Sequence, residues 1–64
     1  MINKLKQARF FAGMSQIRLA QRSGIHASTI SRLENGFFLP SEVQKQKLAE
    51  ALDVDVDSLF PKSD

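Results

Sequence analysis

The stretch SQIRLAQRSGIHASTISRLENG, Ser15 to Gly36, decides the fold. It holds two helical periods, parted at Ser23-Gly24 and closed by Asn35-Gly36. Ser15 is placed to cap the first, Leu19 and Ala20 face inward, and Gly24 stops it. Only Ile25 intervenes before the second period starts near His26, so a very tight turn joins the two helices. On a helix advancing about 100° per residue, Ile30 and Leu33 share one side, with His26 and Thr29 beside them. Ala27, Ser28, Ser31 and Arg32 share the other. Three of those four side chains are short, so this outer face is low and a partner can come close to the backbone.

Outward from this stretch the chain stays helical. Asn3 is placed to cap a first helix in which Leu5, Ala8 and Ala12 recur at helical spacing and which Gly13 ends. Ser41-Glu42-Val43-Gln44 is a capping box opening a fourth helix, with Val43, Leu48, Ala51 and Leu52 as its inner stripe. Asp53 and Asp55 flank Val54 at the next break, where helix capping explains both. A last helical turn runs through Val56 and Leu59 until Pro61 forbids continuation. The expectation is an all-α domain of five helices over residues 1–61, with residues 62–64 a frayed tail.

At 64 residues there is room for one domain and one modest core. The chain has no cysteine, hence no disulfide framework and no thiolate metal site. No apolar run is long enough for a membrane span, and the expected location is the cytoplasm. The net charge of +2 hides a division. Residues 1–33 carry Lys4, Lys6, Arg9, Arg18, Arg22 and Arg32 with no acid, whereas residues 34–64 carry seven acids against Lys45, Lys47 and Lys62. A basic first half beside a low helix face points to a polyanion.

Several of these residues together carry a family resemblance. Arg9, GMSQ (13–16), LAQ (19–21), SG (23–24), STIS (28–31), LENG (33–36), PS (40–41) and LAEALDVDVDSLF (48–60) span nearly the whole chain. The pattern resembles the Cro and phage-repressor (XRE) type of helix-turn-helix domain. The resemblance implies a five-helix, lambda-repressor-like fold whose helices two and three form the helix-turn-helix. It implies a transcriptional regulator, a repressor without enzyme activity, cofactor or metal, that binds a pseudo-palindromic operator in double-stranded DNA as a homodimer. It implies base reading by Ala27, Ser28 and Arg32, and phosphate contacts by Gln16, Arg18, Ser31 and Asn35. A structural ion pair between Arg9 and Glu34 and a dimer interface at Val56, Leu59 and Phe60 also follow from it.

The sequence departs from the family at four places. His26 stands where a Ser or Thr cap is usual, which leaves the start of helix three poorly satisfied or capped from elsewhere. Ile17 and Arg18 replace acidic residues early in helix two, where Arg18 opposes the helix dipole unless a phosphate is near. Phe37, Phe38 and Leu39 occupy a loop that is often basic. Lys45 and Gln46 replace leucines, so fewer apolar residues dock helix four.

Other readings compete locally. Asp53, Asp55 and Asp57 have the 1-3-5 spacing of a calcium loop and Asp64 falls at position twelve, but Ser58 stands where that loop needs glycine and Pro61 interrupts it. His26 has no companion ligands and reads as a packed or capping residue. Phe10, Phe37 and Phe38 either fold back onto a small core or expose an apolar patch for a protein partner. The latter would make the chain an interaction module, such as an antitoxin or adaptor, with Phe37 and Phe38 as its contact.

Overall fold

The computed structural model describes residues 3–37 and 39–61; Phe38, Asp64 and the rest of the expected 62–64 tail lie outside the described residues. Five helices follow in order: α1 Leu5–Phe11, α2 Gln16–Ser23, α3 Ala27–Glu34, α4 Glu42–Leu52 and α5 Val56–Leu59. Among the described residues there is no strand. The fold is all-α, as the periodicity predicts.

Each helix gives the core at least one side chain that is wholly removed from water: Leu5, Leu19, Ile30, Leu33, Leu48 and Leu59. Burying a side chain of this size is worth roughly 1.5–3 kcal/mol. Ile25, Ala49, Ala51 and Leu52 complete the cluster, and Ala8, Met14, Ala20, Val56 and Phe60 pack against it.

The start of α1 is stitched to the ends of two other helices. Lys4, not Asn3, holds the N-cap position and makes no side-chain cap. The Asn3 Oδ1 still accepts from the Leu5 N–H at 3.0 Å, while Asn3 Nδ2 donates to the Leu33 carbonyl at 2.7 Å. The Lys4 N–H donates to the Leu59 carbonyl at 2.8 Å. One asparagine therefore serves an orphan amide of α1 and a carbonyl in the last turn of α3.

Five expectations need correction. Ala12 is exposed, because α1 ends at Phe11 and Ala12 is only its C-cap. Val43 is 59% exposed, because nothing apolar in the first half of α4 reaches the core. Leu48, Ala49, Ala51 and Leu52 dock that helix by its second half alone. Asp55 stands at the α5 N-cap without a side-chain cap bond, and Asp53 closes α4 in the left-handed region at φ +58°. Leu59 is fully buried within the protomer and has no surface to offer a second copy, so of the expected dimer residues only the half-buried Val56 and Phe60 remain available.

Candidate nucleic-acid interface

The connection from α2 to α3 is fixed bond by bond. Ser15 caps α2 by accepting the Arg18 N–H on Oγ at 3.0 Å. Gly24 leaves α2 at φ +76°, donating its N–H to the Ala20 carbonyl at 2.9 Å. A Cβ built there would meet nothing within 4 Å, so glycine is needed for the backbone conformation and not for space. The buried Ser23 turns its Oγ onto the Ile25 N–H at 3.1 Å, and Ile25 drops into the core. His26 then caps α3 itself: Nδ1 accepts from the Ser28 N–H at 3.5 Å and lies 3.1 Å from the Ser28 Oγ. The unusual residue at this position supplies the cap that the sequence left in doubt.

With Ile30 and Leu33 wholly buried, the opposite side of α3 faces solvent. Ser28 and Arg32, one turn apart, are exposed, and Ala27 and Ser31 are half-buried beside them. Asn35 is exposed, but its Nδ2 donates to the Ser31 carbonyl at 2.8 Å. Gly36 donates to Leu33 and Phe37 to Arg32, the paired bonds of a Schellman ending.

Beneath this face lies a buried polar knot. Glu34 receives Arg9 Nε on Oε2 at 2.6 Å and Arg9 Nη2 on Oε1 at 3.3 Å. Its Oε1 also accepts from Gln16 Nε2 at 2.9 Å, and Arg9 Nη1 donates to the Met14 carbonyl at 2.8 Å. The side chains of Arg9 and Glu34 are only 8% and 2% exposed. Glu34 thus ties α1, the first residue of α2 and the end of α3 together. One amide proton of Gln16 is committed to this knot, which alters its expected part as a phosphate ligand: what remains for a phosphate is the other proton and the backbone. The Gln16–Glu34 and Asn3–Leu33 bonds escaped the sequence reading, since no spacing rule links partners 18 and 30 residues apart.

The knot also refines the charge division. Arg9 is neutralised inside the fold, while Lys4, Lys6, Arg18, Arg22 and Arg32 are exposed and in no ion pair among the described residues.

Residues 5–59 match the family described as helix-turn-helix. The chain belongs to this helix-turn-helix family. It is also similar to a Bacillus subtilis (strain 168) protein named as an uncharacterized HTH-type transcriptional regulator, YgzD, with 30% identity over 60 residues, covering 94% of this chain and 91% of that one. Within the helix-turn-helix frame, α2 is the supporting helix and α3 stands where such domains carry the recognition helix.

The remaining candidates of this helix-turn-helix protein fall outside the α2–α3 unit. Among the described residues no three His, Cys, Asp or Glu side chains are gathered as a metal site would need. No described helix is long and apolar enough to cross a membrane. Phe10, Phe11, Phe37 and Leu39 are exposed, so Phe10 and Phe37 do not fold back onto the core. The Phe10 ring instead lies 4.7 Å from the Arg9 guanidinium carbon.

Proposed function

We propose that this protein is a sequence-specific double-stranded DNA-binding transcriptional regulator that represses by occupying an operator, with α3 in the major groove. The observation that carries it is the exposed, low face of α3, where Ser28 and Arg32 stand clear of the core with Ala27 and Ser31 half-buried beside them. Arg32 would bond guanine O6 and N7 bidentately, and Ala27 and Ser28 would meet neighbouring base edges. Arg18, Ser31, Asn35 and the uncommitted Gln16 proton would contact phosphates. The amides of Gln16 and Ile17, which have no partner within α2, would join them at the positive end of the helix dipole. The protein works in the cytoplasm as a homodimer, without catalysis or cofactor, on half-sites about one helical turn apart.

Selection of bound sequences from a random duplex pool, at low and moderate salt, tests this. An enriched inverted repeat that survives the higher salt is expected. Arg32→Ala should relax one base position, whereas Arg18→Ala should weaken binding on all sequences and lower the salt slope by about 1. No enrichment, or binding that vanishes as salt rises, would overturn the proposal.

A second reading is favoured by the exposure of Phe37 at 75% and Leu39 at 82%. An interaction module using this loop would lose its protein complex on Phe37→Ser while remaining folded.

A further inference from the structure

Resting on the DNA-binding function proposed above, we infer that His26 fixes the hydrogen-bond polarity of Ser28. The recognition helix then reads an exocyclic amine, that of adenine or cytosine, at the position Ser28 faces. Guanine and thymine, which offer a keto oxygen there, are rejected.

The polarity follows from the cap. As the N-cap of α3, the His26 Nδ1 accepts from the Ser28 N–H. A ring nitrogen that accepts a backbone N–H carries no proton, so assigning the 3.5 Å amide contact as the cap bond puts the proton of the neutral imidazole on Nε2. The Ser28 Oγ lies 3.1 Å from the same Nδ1. Since that nitrogen has no proton to give, the hydroxyl must donate to it. The one proton of Ser28 is thereby turned toward the protein, and its exposed oxygen shows only lone pairs to a partner.

A serine hydroxyl without such a neighbour rotates to suit either a donor or an acceptor. With its proton committed, Ser28 can only accept. In the major groove adenine N6 and cytosine N4 donate, while guanine O6 and thymine O4 accept. A keto oxygen opposite Ser28 would bring two lone-pair-bearing atoms together and leave both without their bond to water. Arg32, one turn further along the same exposed face, carries donors only. The face therefore presents an acceptor and then a set of donors.

The experiment is the random-duplex selection, run in mildly alkaline buffer with the native chain, His26→Ser and Ser28→Ala. Serine is itself a good N-cap, so His26→Ser keeps the helix start while replacing a nitrogen that only accepts by a hydroxyl that can also donate, which frees the polarity of Ser28. The native chain should disfavour guanine and thymine about tenfold at one position of each half-site. Both variants should bring that exclusion toward unity there alone, leaving the thermal midpoint and the position read by Arg32 unchanged. The double variant should lose no more than Ser28→Ala. If His26 were a structural cap only, His26→Ser would leave the base profile intact, whether or not stability or overall affinity moved, which overturns the inference. A guanine or thymine preference that disappears in Ser28→Ala also overturns it while the DNA-binding function stands. A native chain that enriches nothing removes both.

Discussion

Glu34 is the residue on which the arrangement of the first three helices turns, because its carboxylate collects donors from Arg9 and Gln16 in a site almost closed to water. Glu34→Gln would leave the Arg9 guanidinium buried without a counter-charge, and breaking such a pair costs about 3–5 kcal/mol. A 64-residue domain has little more than that in total, so urea denaturation should find Glu34→Gln only marginally folded, with its midpoint near zero denaturant. A loss under about 0.5 kcal/mol would mean that solvent screens the pair after all. Asp53 offers the opposite case. It holds φ +58°, where a Cβ is strained, and places a negative charge at the negative end of α4. Asp53→Gly should therefore stabilise the protein by roughly 0.5–1 kcal/mol, read as a higher denaturation midpoint with an unchanged slope.

Among the elements, α4 is held differently along its length. Its second half docks through Leu48, Ala49, Ala51 and Leu52, whereas its first half is secured by the capping box: Ser41 Oγ accepts from the Gln44 N–H at 3.1 Å and Gln44 Oε1 from the Ser41 N–H at 2.9 Å. The exposed Lys45–Glu42 pair at 3.2 Å adds little. Ser41→Ala should cost about 1 kcal/mol and raise amide exchange in the first turn of α4 before anywhere else. Uniform exchange would show that core packing, and not the cap, holds that end. In α3 the cap falls to an imidazole, so one residue serves both the helix start and the face beside it.

For the molecule as a whole, the exposed cations of the first half and the acids of the second make a polar object with a basic helix-turn-helix side. Its apolar exposure is spread more widely: Phe10, Phe11, Phe37, Leu39 and Val43 lie outside the helix-turn-helix unit, and Ile17 stands exposed at the start of α2. Phe37→Ser is expected to change stability by no more than about 0.5 kcal/mol and to leave the selected DNA sequence intact. Loss of DNA selection in that variant would make the loop part of the DNA-reading surface. Since Leu59 is sealed inside the protomer, a second copy would have to meet α5 through Val56 and Phe60, a small area. Sedimentation should accordingly show a monomer in free solution at low concentration, with pairing on the inverted repeat.

Periodicity and punctuation were enough for the number, order and type of the helices. Ser15, Gly24, Ser41 and Pro61 act on their own neighbours within a few bonds, and such local chemistry is written in the order of residues. The inward positions Leu5, Leu19, Ile30, Leu33 and Leu48 follow from the same 3.6-residue repeat. What the sequence alone misjudged were residues at helix ends and edges: Ala12, Val43 and Leu59, whose burial depends on where another helix happens to lie. The bonds from Asn3 to Leu33 and from Gln16 to Glu34, and the sealing of Arg9, likewise exist only once distant segments have packed. Local spacing fixes which face a side chain takes on its helix, but only the packing of helices against one another decides what that face meets.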